Sequence, residues 1–68
     1  MPVLSLTMGK GQTTPQQKNE LIESLTENAA KITGIPAKAF TILIHELDAD
    51  SIGIGGRTLE ALRVSMSG

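Results

Sequence analysis

The first residues after the initiator methionine alternate in polarity, which is typical of a β-strand. In PVLSLTM, residues 2–8, alternate side chains fall on opposite faces. One face carries Leu4, Leu6 and Met8, and the other carries Val3, Ser5 and Thr7. A period of two predicts a strand. The glycine-broken polar run that follows, GKGQTT, predicts a connection.

The period then changes to that of an α-helix. Thr14 is a suitable N-cap, Pro15 suits the first helical position and Gln17 stands at N3, so a capping box is predicted. Over residues 15–33 the apolar positions fall within a sector of about 100° and predict one buried stripe. They are Leu21, Ile22, Leu25, Ala29 and Ile32. The charged residues predicted to face solvent are Glu20, Glu23, Glu27 and Lys31.

A second strand is predicted after this helix. Gly34 stops the helix, and Pro36 prevents its continuation. The segment AFTILIHEL, residues 39–47, is apolar on both faces for much of its length, which predicts a strand buried on both sides. DADS then predicts a turn and IGIGG a glycine-rich bend. The last segment, TLEALRVSM, fits either a short helix or an extended tail.

The predicted order is a strand, a helix and a second strand, joined by a long crossover. This order predicts a parallel, right-handed βαβ unit of the α/β (α+β) class. One helix covers only one face of a two-stranded sheet. The other face leaves Leu43 or Ile42 and their neighbours bare, as an apolar patch that soluble monomers rarely expose. We therefore expect two such units to pair, either by joining their sheets or by burying their open faces.

Length and composition support this expectation. The chain has 68 residues, which predicts a single domain over residues 1–68, and a domain of this size buries only about 60% of its unfolded surface. Such small domains need disulfides, a metal or partner subunits as additional support. The sequence has no cysteine and a single histidine, His45, so the support is expected from oligomerisation.

Charge and hydropathy exclude several classes of partner. The net charge is −1, the charges are mixed, and Phe40 is the only aromatic residue, so neither a basic stripe nor a stacking platform for nucleic acid is present. The sequence has no apolar run of membrane-spanning length and no signal peptide. We expect a cytoplasmic protein without nucleic-acid or membrane partners.

Most motifs have a structural explanation. The glycines of IGIGG match neither a dinucleotide fingerprint nor a phosphate loop and are explained by a tight bend. His45 and Glu46 are adjacent in the predicted strand, so their side chains point to opposite faces and form no acid–base pair. Asp48 and Asp50 fit a solvated turn better than a cation site.

Pro2 has two interpretations. Proline is tolerated at the first position of a strand, where a missing N–H costs little. Removal of Met1, which a small second residue permits, would instead expose a free secondary amine. An α-amino group has a pKa of about 7.7–8.0, and burial in an apolar pocket lowers that pKa further. Pro2 could then act as a general base at neutral pH.

The order of these features resembles the 4-oxalocrotonate tautomerase family. Over about residues 2–57 the chain contains, in this order, MPVLSL, a capped helix of this length, GIP, an apolar strand ending in HEL, and IGIGG. The resemblance implies βαβ protomers that assemble through their sheets, as hexamers built from three dimers. It also implies an isomerase without metal or organic cofactor, in which Pro2 moves a proton between oxygen and carbon of a small enol or dienol acid.

The resemblance assigns substrate-binding positions at which this chain departs from the family. The two arginines of the founding enzymes fall at Gln12 (or Thr13, depending on one inserted residue) and at Thr41. The aromatic residue that makes their pocket apolar falls at Ile52. Loss of two guanidinium groups weakens the recognition of a dicarboxylate, because arginine binds a carboxylate with two parallel hydrogen bonds.

Other residues could supply positive charge or subunit contacts. Lys10, Lys38 or Arg57 could act from a different direction or from a neighbouring subunit. The glycines that match the family's turn before its subunit contact region are Gly53, Gly55 and Gly56.

The sequence thus supports one leading hypothesis and two alternatives. The leading hypothesis is a homo-oligomeric, Pro2-dependent tautomerase whose substrate differs from, or is broader than, the dicarboxylate of the founding enzymes. The first alternative is a non-catalytic or weakly active subunit of a hetero-oligomer. The second is a hydratase or dehalogenase, which lacks support because Ile52 stands where an acid would be needed.

Overall fold

The computed structural model describes residues 1–67, with side chains described for residues 1–64. The protomer consists of a parallel pair of strands, a helix packed on this pair, and a C-terminal hairpin followed by a second helix. In chain order the elements are β1 (Val3–Gly9), α1 (Pro15–Thr33), β2 (Thr41–Leu47), β3 (Gly53–Ile54), β4 (Arg57–Thr58) and α2 (Leu59–Ser67). Single 3₁₀ turns, Ala37–Ala39 and Ala49–Ser51, flank β2.

The predicted βαβ unit is confirmed. β1 and β2 pair in parallel, with Val3 beside Thr41 at one end and Gly9 beside Leu47 at the other. β1 begins and ends one residue later than predicted, and Pro2 lies immediately before it. The Pro2 carbonyl nevertheless joins the ladder, because it accepts a hydrogen bond of 3.0 Å from the Thr41 N–H.

The predicted helix is confirmed at both ends. The Thr14 N–H donates to Gln17 Oε1 at 2.9 Å and the Gln17 N–H donates to Thr14 Oγ1 at 3.1 Å, which completes the capping box. Gly34 ends the helix at a φ of 77°, a left-handed conformation that glycine adopts without strain. Its N–H donates to the Ala30 carbonyl at 2.9 Å.

β2 begins two residues later than predicted. The Ala39 N–H donates to the Pro36 carbonyl at 2.9 Å, and the Phe40 N–H donates to the Ala37 carbonyl at 3.1 Å. Both amides are therefore used by the 3₁₀ turn and are not available to the sheet. The β-branched and apolar pattern continues through this turn, so it could not show the boundary.

The C-terminal arm, residues 53–67, contains the expected glycine turn. Gly55 and Gly56 join β3 to β4 with φ values of 61° and 85°, which is the signature of a type I′ hairpin turn. The segment that fitted either a helix or a tail is the helix α2. Thr58 Oγ1 accepts the Ala61 N–H at 3.1 Å, a bond typical of an N-cap residue.

Helix α1 covers one face of the sheet. Leu4, Leu6 and Ile44 lie half-buried on this covered face, and Lys18 of α1 forms an ion pair with Glu46 of β2 across it. Within residues 1–67, no element covers the opposite side, which is called here the open face. The open face carries Val3, Ser5 and Thr7 of β1 and Thr41, Leu43, His45 and Leu47 of β2.

In the isolated protomer β2 is covered on one side only, as expected for a two-stranded sheet with one helix. Leu43 is 41% exposed and Leu47 is 38% exposed, whereas Ile42 and Ile44 are half-buried under α1. Leu43, and not Ile42, is therefore the bare residue. No apolar side chain among residues 1–64 is fully buried.

The buried stripe of α1 is shorter than predicted. Leu21, Leu25 and Ala29 are half-buried, but Ile22 is 40% and Ile32 84% exposed. A helix of 19 residues is about 28 Å long, whereas a strand of seven residues spans about 23 Å. The last turn of α1 therefore extends past the sheet, which leaves Ile32 without a partner surface in the protomer.

The protomer is extended. Its Cα radius of gyration is 15.7 Å, whereas a compact domain of 68 residues has one of about 11 Å. Its accessible surface is 5086 Å², compared with about 4,100 Å² for a compact monomer of 7.2 kDa. None of the helices within residues 1–67 has both the length and the apolar character needed to cross a membrane.

Candidate active site

Pro2 lies at the end of the sheet where β1 and β2 both begin. Its carbonyl is held by the Thr41 N–H at 3.0 Å, and the parallel register, continued back by one residue, puts Pro2 beside Phe40. Because proline has no N–H, its nitrogen leaves no unsatisfied donor at this edge. We call this part of the protomer, residues 1–3 and 31–41, the proline end.

The nitrogen of Pro2 is a tertiary amide while Met1 is attached, so it has neither a proton nor basicity. Met1 is 93% exposed and Pro2 is half-buried. Removal of Met1 therefore takes away no packed side chain. It would leave the Pro2 carbonyl bond to Thr41 in place and turn the nitrogen into a secondary amine.

The side chains around Pro2 are mostly apolar. Phe40 is half-buried and is the only aromatic residue of the chain. Ile35 and Val3 belong to the same end and are 38% and 52% exposed. The sequence pattern did not single out Phe40 as a neighbour of Pro2, because only the strand register brings the two residues together.

Thr41 is the only predicted substrate-binding residue at the proline end. Its N–H holds Pro2, and its side chain belongs to the open face beside Val3. Thr41 is half-buried. A hydroxyl at this position can donate one hydrogen bond to a bound oxygen but carries no charge.

Lys10 and Gln12 lie at the opposite end of the sheet. The Lys10 N–H donates to the Leu47 carbonyl at 2.8 Å, and the Lys10 Nζ atom lies 3.7 Å from Asp48 Oδ1. Gln12 packs on Gly9 so closely that a Cβ atom there would lie 3.0 Å from Gln12 Nε2. β1 separates these residues from Pro2 by about 23 Å, so one protomer does not bring them together.

Ile52 also lies beyond the far end of β2. It is half-buried, and its carbonyl accepts the Leu59 N–H at 2.7 Å at the base of the C-terminal arm. The residues expected to surround one substrate are thus divided between two ends of the protomer. Their roles stay predictions, and Lys10, Gln12 or Ile52 would approach Pro2 only across a contact between two subunits.

His45 and Glu46 do not form a pair. Glu46 lies on the covered face with Lys18, whereas His45 lies on the open face beside Thr7. A depression of about 430 Å³ beside α2 is lined by acidic and basic residues, at the end of the protomer away from Pro2. Within residues 1–67, no three His, Cys, Asp or Glu side chains are grouped so that they could hold a metal ion.

Comparison with known proteins identifies relatives along almost the whole chain. The sequence model of a family described as "Tautomerase enzyme" matches residues 2–62. The 2-hydroxymuconate tautomerase of Bacillus subtilis is 30% identical over 59 residues, which cover 87% of this chain and 94% of that protein.

Solved structures show the same fold. A heterohexamer 4-oxalocrotonate tautomerase from Chloroflexus aurantiacus superimposes with a TM-score of 0.83 at 30% identity, covering 93% of this chain and all of that chain. A structure described for its trans-3-chloroacrylic acid dehalogenase activity superimposes with a TM-score of 0.74 at 28% identity, covering 85% and 98% of the two chains.

Proposed function

Because this chain belongs to the tautomerase family of isomerases, we propose that Pro2, once Met1 is removed, is the general base of a keto–enol tautomerase. The substrate is a small enol or dienol acid, and the product is the corresponding keto acid. The proposal joins the position of Pro2 with the activity named for the Bacillus subtilis relative.

The observation that carries this proposal is the way Pro2 is held. Its carbonyl is fixed to the Thr41 N–H, its neighbour Phe40 is half-buried, and the residue to be removed, Met1, is 93% exposed. Loss of Met1 then creates an amine on a hydrogen-bonded strand end, beside the aromatic residue Phe40. Apolar surroundings favour the neutral amine, which is the form that accepts a proton.

The proposed reaction moves one proton and two electron pairs. The neutral amine of Pro2 takes the enol hydroxyl proton, the O–H electrons form the carbonyl, and the C=C electrons take a proton back from the Pro2 ammonium at carbon. The amine is regenerated, and no atom is oxidised or reduced. General base catalysis of this kind contributes about 10²–10⁴ in rate.

The substrate is expected to differ from, or to be broader than, the dicarboxylate of the founding enzymes. Thr41 lies at the proline end as a neutral side chain, and Gln12 is neutral as well. Neither forms the two parallel charge-assisted bonds by which arginine holds a carboxylate. Monocarboxylate enols are therefore included in the proposed substrate class.

We propose a homo-oligomer, a hexamer of three dimers, as the active form. The extended protomer and its open face support assembly, because a chain of this size without a fully buried apolar side chain among residues 1–64 gains its core from partners. Assembly would also allow Ile52 or Lys10 of one copy to approach Pro2 of another.

The test compares the wild-type chain with a chain that carries one extra alanine between Met1 and Pro2. The extra residue keeps the Pro2 nitrogen in an amide. We expect wild-type protein whose intact mass lacks Met1 and which ketonises enol phenylpyruvate or 2-hydroxymuconate. The extended chain should lose about 10²-fold or more in kcat/KM.

The pH profile and Pro2→Ala complete this test. The rate of the wild type should fall as pH decreases through the pKa of the Pro2 amine, because the protonated amine cannot accept a proton. Pro2→Ala, which keeps only a primary amine, should also be slower. Retained Met1 in the wild type, or equal rates in all three chains, would contradict the proposal.

A non-catalytic or weakly active subunit of a hetero-oligomer is the second candidate. It is favoured by the neutral residues at positions 12 and 41 and by the heterohexamer among the structural relatives. It predicts a purified chain that does not assemble alone but does so with a second chain of the family. Analytical ultracentrifugation of the purified chain separates the two candidates. A hydratase or dehalogenase is weaker, because Ile52 is apolar where an acid would activate water.

A further inference from the structure

The proline end of the protomer differs from the rest of the chain in its charged side chains. The proline end contains Lys31 and Lys38 and no carboxylate. At the other end, Lys10 and Lys18 are both ion-paired, to Asp48 and Glu46. Neither lysine of the proline end has a carboxylate within 4.0 Å among the described residues. Among the described residues both lysines of the proline end therefore lack an ion-pair partner, and the carboxylates nearest to Lys31 in the chain, Glu23 and Glu27, belong to α1.

Lys38 lies on the short connection that leads directly to the residues beside Pro2. It is in the 3₁₀ turn Ala37–Ala39, and Phe40 and Thr41 follow it. Neighbouring strands are about 4.8 Å apart and a 3₁₀ turn rises about 2 Å per residue, so the Cα atoms of Lys38 and Pro2 are about 10 Å apart or less. A lysine side chain with its four methylenes and an intervening substrate bridge such a distance.

Lys31 belongs to the same end but to a different surface. It lies in the last turn of α1 and is exposed. At 100° per residue it falls outside the stripe of Leu25 and Ala29 that faces the sheet. Lys31 thus carries the same positive charge as Lys38 but lies on a different surface of the proline end.

We propose that Lys38 binds the carboxylate of the enol acid on which Pro2 acts, in the same protomer. This inference rests on the proposed function of Pro2. The ammonium group of Lys38 fixes the substrate by one charge-assisted contact, and it offsets the negative charge that the enolate gains when Pro2 takes its proton. In this chain the proposed positive charge lies at Lys38, in the turn before β2, and not at the strand position of Thr41, where the resemblance assigns an arginine.

The nature of the cation determines which substrates fit. An ammonium group is a point charge with three rotatable donors, unlike the planar fork of arginine, so it holds a carboxylate without fixing its plane. A site of this kind accepts monocarboxylate enols of different shapes. It discriminates strongly between an acid and its neutral ester, because the ester removes the charge that Lys38 binds.

The test uses Lys38→Gln, Lys38→Arg and the matched control Lys31→Gln. The readouts are kcat/KM for enol phenylpyruvate and for its methyl ester, and the affinity for muconate, which lacks the enol hydroxyl and binds without reacting. Lys38→Gln should lower kcat/KM for the acid and weaken muconate binding by about tenfold or more. It should lower kcat/KM for the ester less than for the acid, because the ester has no carboxylate to lose and only the enolate charge is left for Lys38 to offset.

The control and the rescue decide the origin of the effect. Lys38→Arg should restore most of the affinity, whereas Lys31→Gln should change it by no more than about twofold, because it removes only an exposed, screened charge on a different surface. Equal effects of Lys38→Gln and Lys31→Gln, or no weakening of muconate binding by Lys38→Gln, would overturn the assignment.

Failure of this assignment and failure of the proposed function give different results. If Lys38 is not the binding residue, the chain extended before Pro2 is still inactive and Lys38→Gln is fully active. If Pro2 is not the base, the extended chain is fully active. Muconate binding needs no proton transfer, so it tests Lys38 in either case.

Discussion

Pro2 occupies a position where two requirements coincide. As the residue before β1, it needs no N–H, because only its carbonyl takes part in the ladder, through the bond to Thr41. As the second residue of the chain, it becomes an amine when the exposed Met1 is removed. The structural interpretation and the chemical one are therefore compatible, and the experiment with the extended chain separates them.

Gly56 illustrates a single residue that the fold requires. Its φ of 85° is unfavourable for a residue with a Cβ atom, although no atom lies within 4 Å of the position that this Cβ would occupy. Gly56→Ala should lower the free energy of unfolding by about 1–2 kcal/mol through backbone strain alone. Chemical denaturation measures the change.

Gly53→Ala is the matched control for this prediction. Gly53 has no positive φ, and a Cβ atom at this position would lie 3.9 Å from the Arg57 carbonyl oxygen, an ordinary contact. The substitution should be neutral or slightly stabilising. An equal loss in both variants would show that a contact of this hairpin, and not the conformation of Gly56, is responsible.

At the scale of elements, local signals agree with the structure where the hydrogen bonds themselves are local. The two ends of α1 follow from Thr14, Pro15 and Gly34, all of which act within one turn of the helix. The start of β2 does not follow, because its first predicted residues bond within the Ala37–Ala39 turn. The apolar pattern continues unchanged from the 3₁₀ turn into the strand, so it does not mark the start of β2.

The cap of α1 provides a test at this scale. Thr14→Ala removes the oxygen that accepts the Gln17 N–H and should lower the free energy of unfolding by about 1 kcal/mol. Thr14→Ser keeps the acceptor and should lose much less. Thermal or denaturant unfolding followed by circular dichroism measures both variants, and equal stability of Thr14→Ala and the wild type would contradict the role of the cap.

At the scale of the whole molecule, the open face is the feature that needs explanation. Val3, Leu43 and Leu47 are partly exposed there, on a protomer that is longer and has more surface than a compact monomer of its size. Burial of such surface on association contributes a stabilising free energy of about 25 cal/mol per Å² of apolar area. The proposed homo-oligomer gives this face a partner.

Leu43→Asp tests the assembly. A carboxylate at the centre of the open face would be buried without a partner on association, which costs about 3–5 kcal/mol. We expect the variant to sediment as a smaller species than the wild type. Ser24→Asp, which adds the same charge on the exposed side of α1, should not change the sedimentation. Unchanged assembly of Leu43→Asp would place the interface elsewhere.

The sequence by itself determined the elements that depend on neighbours along the chain: the two strands, the capped helix and the glycine turn. Periodicity, caps and positive-φ glycines act over a few residues, so one sequence is sufficient to show them. The same signals could not decide between a helix and a tail after the hairpin, because α2 is short and its pattern weak.

Only the tertiary structure decided which residues meet. The parallel register puts Phe40 and Thr41 beside Pro2 and brings Lys38 to the same end, while it places Lys10 and Gln12 at the other. It also made Leu43 the bare residue of β2. The physical reason is that pairing between β1 and β2 joins residues far apart in the chain, and no local pattern carries that register.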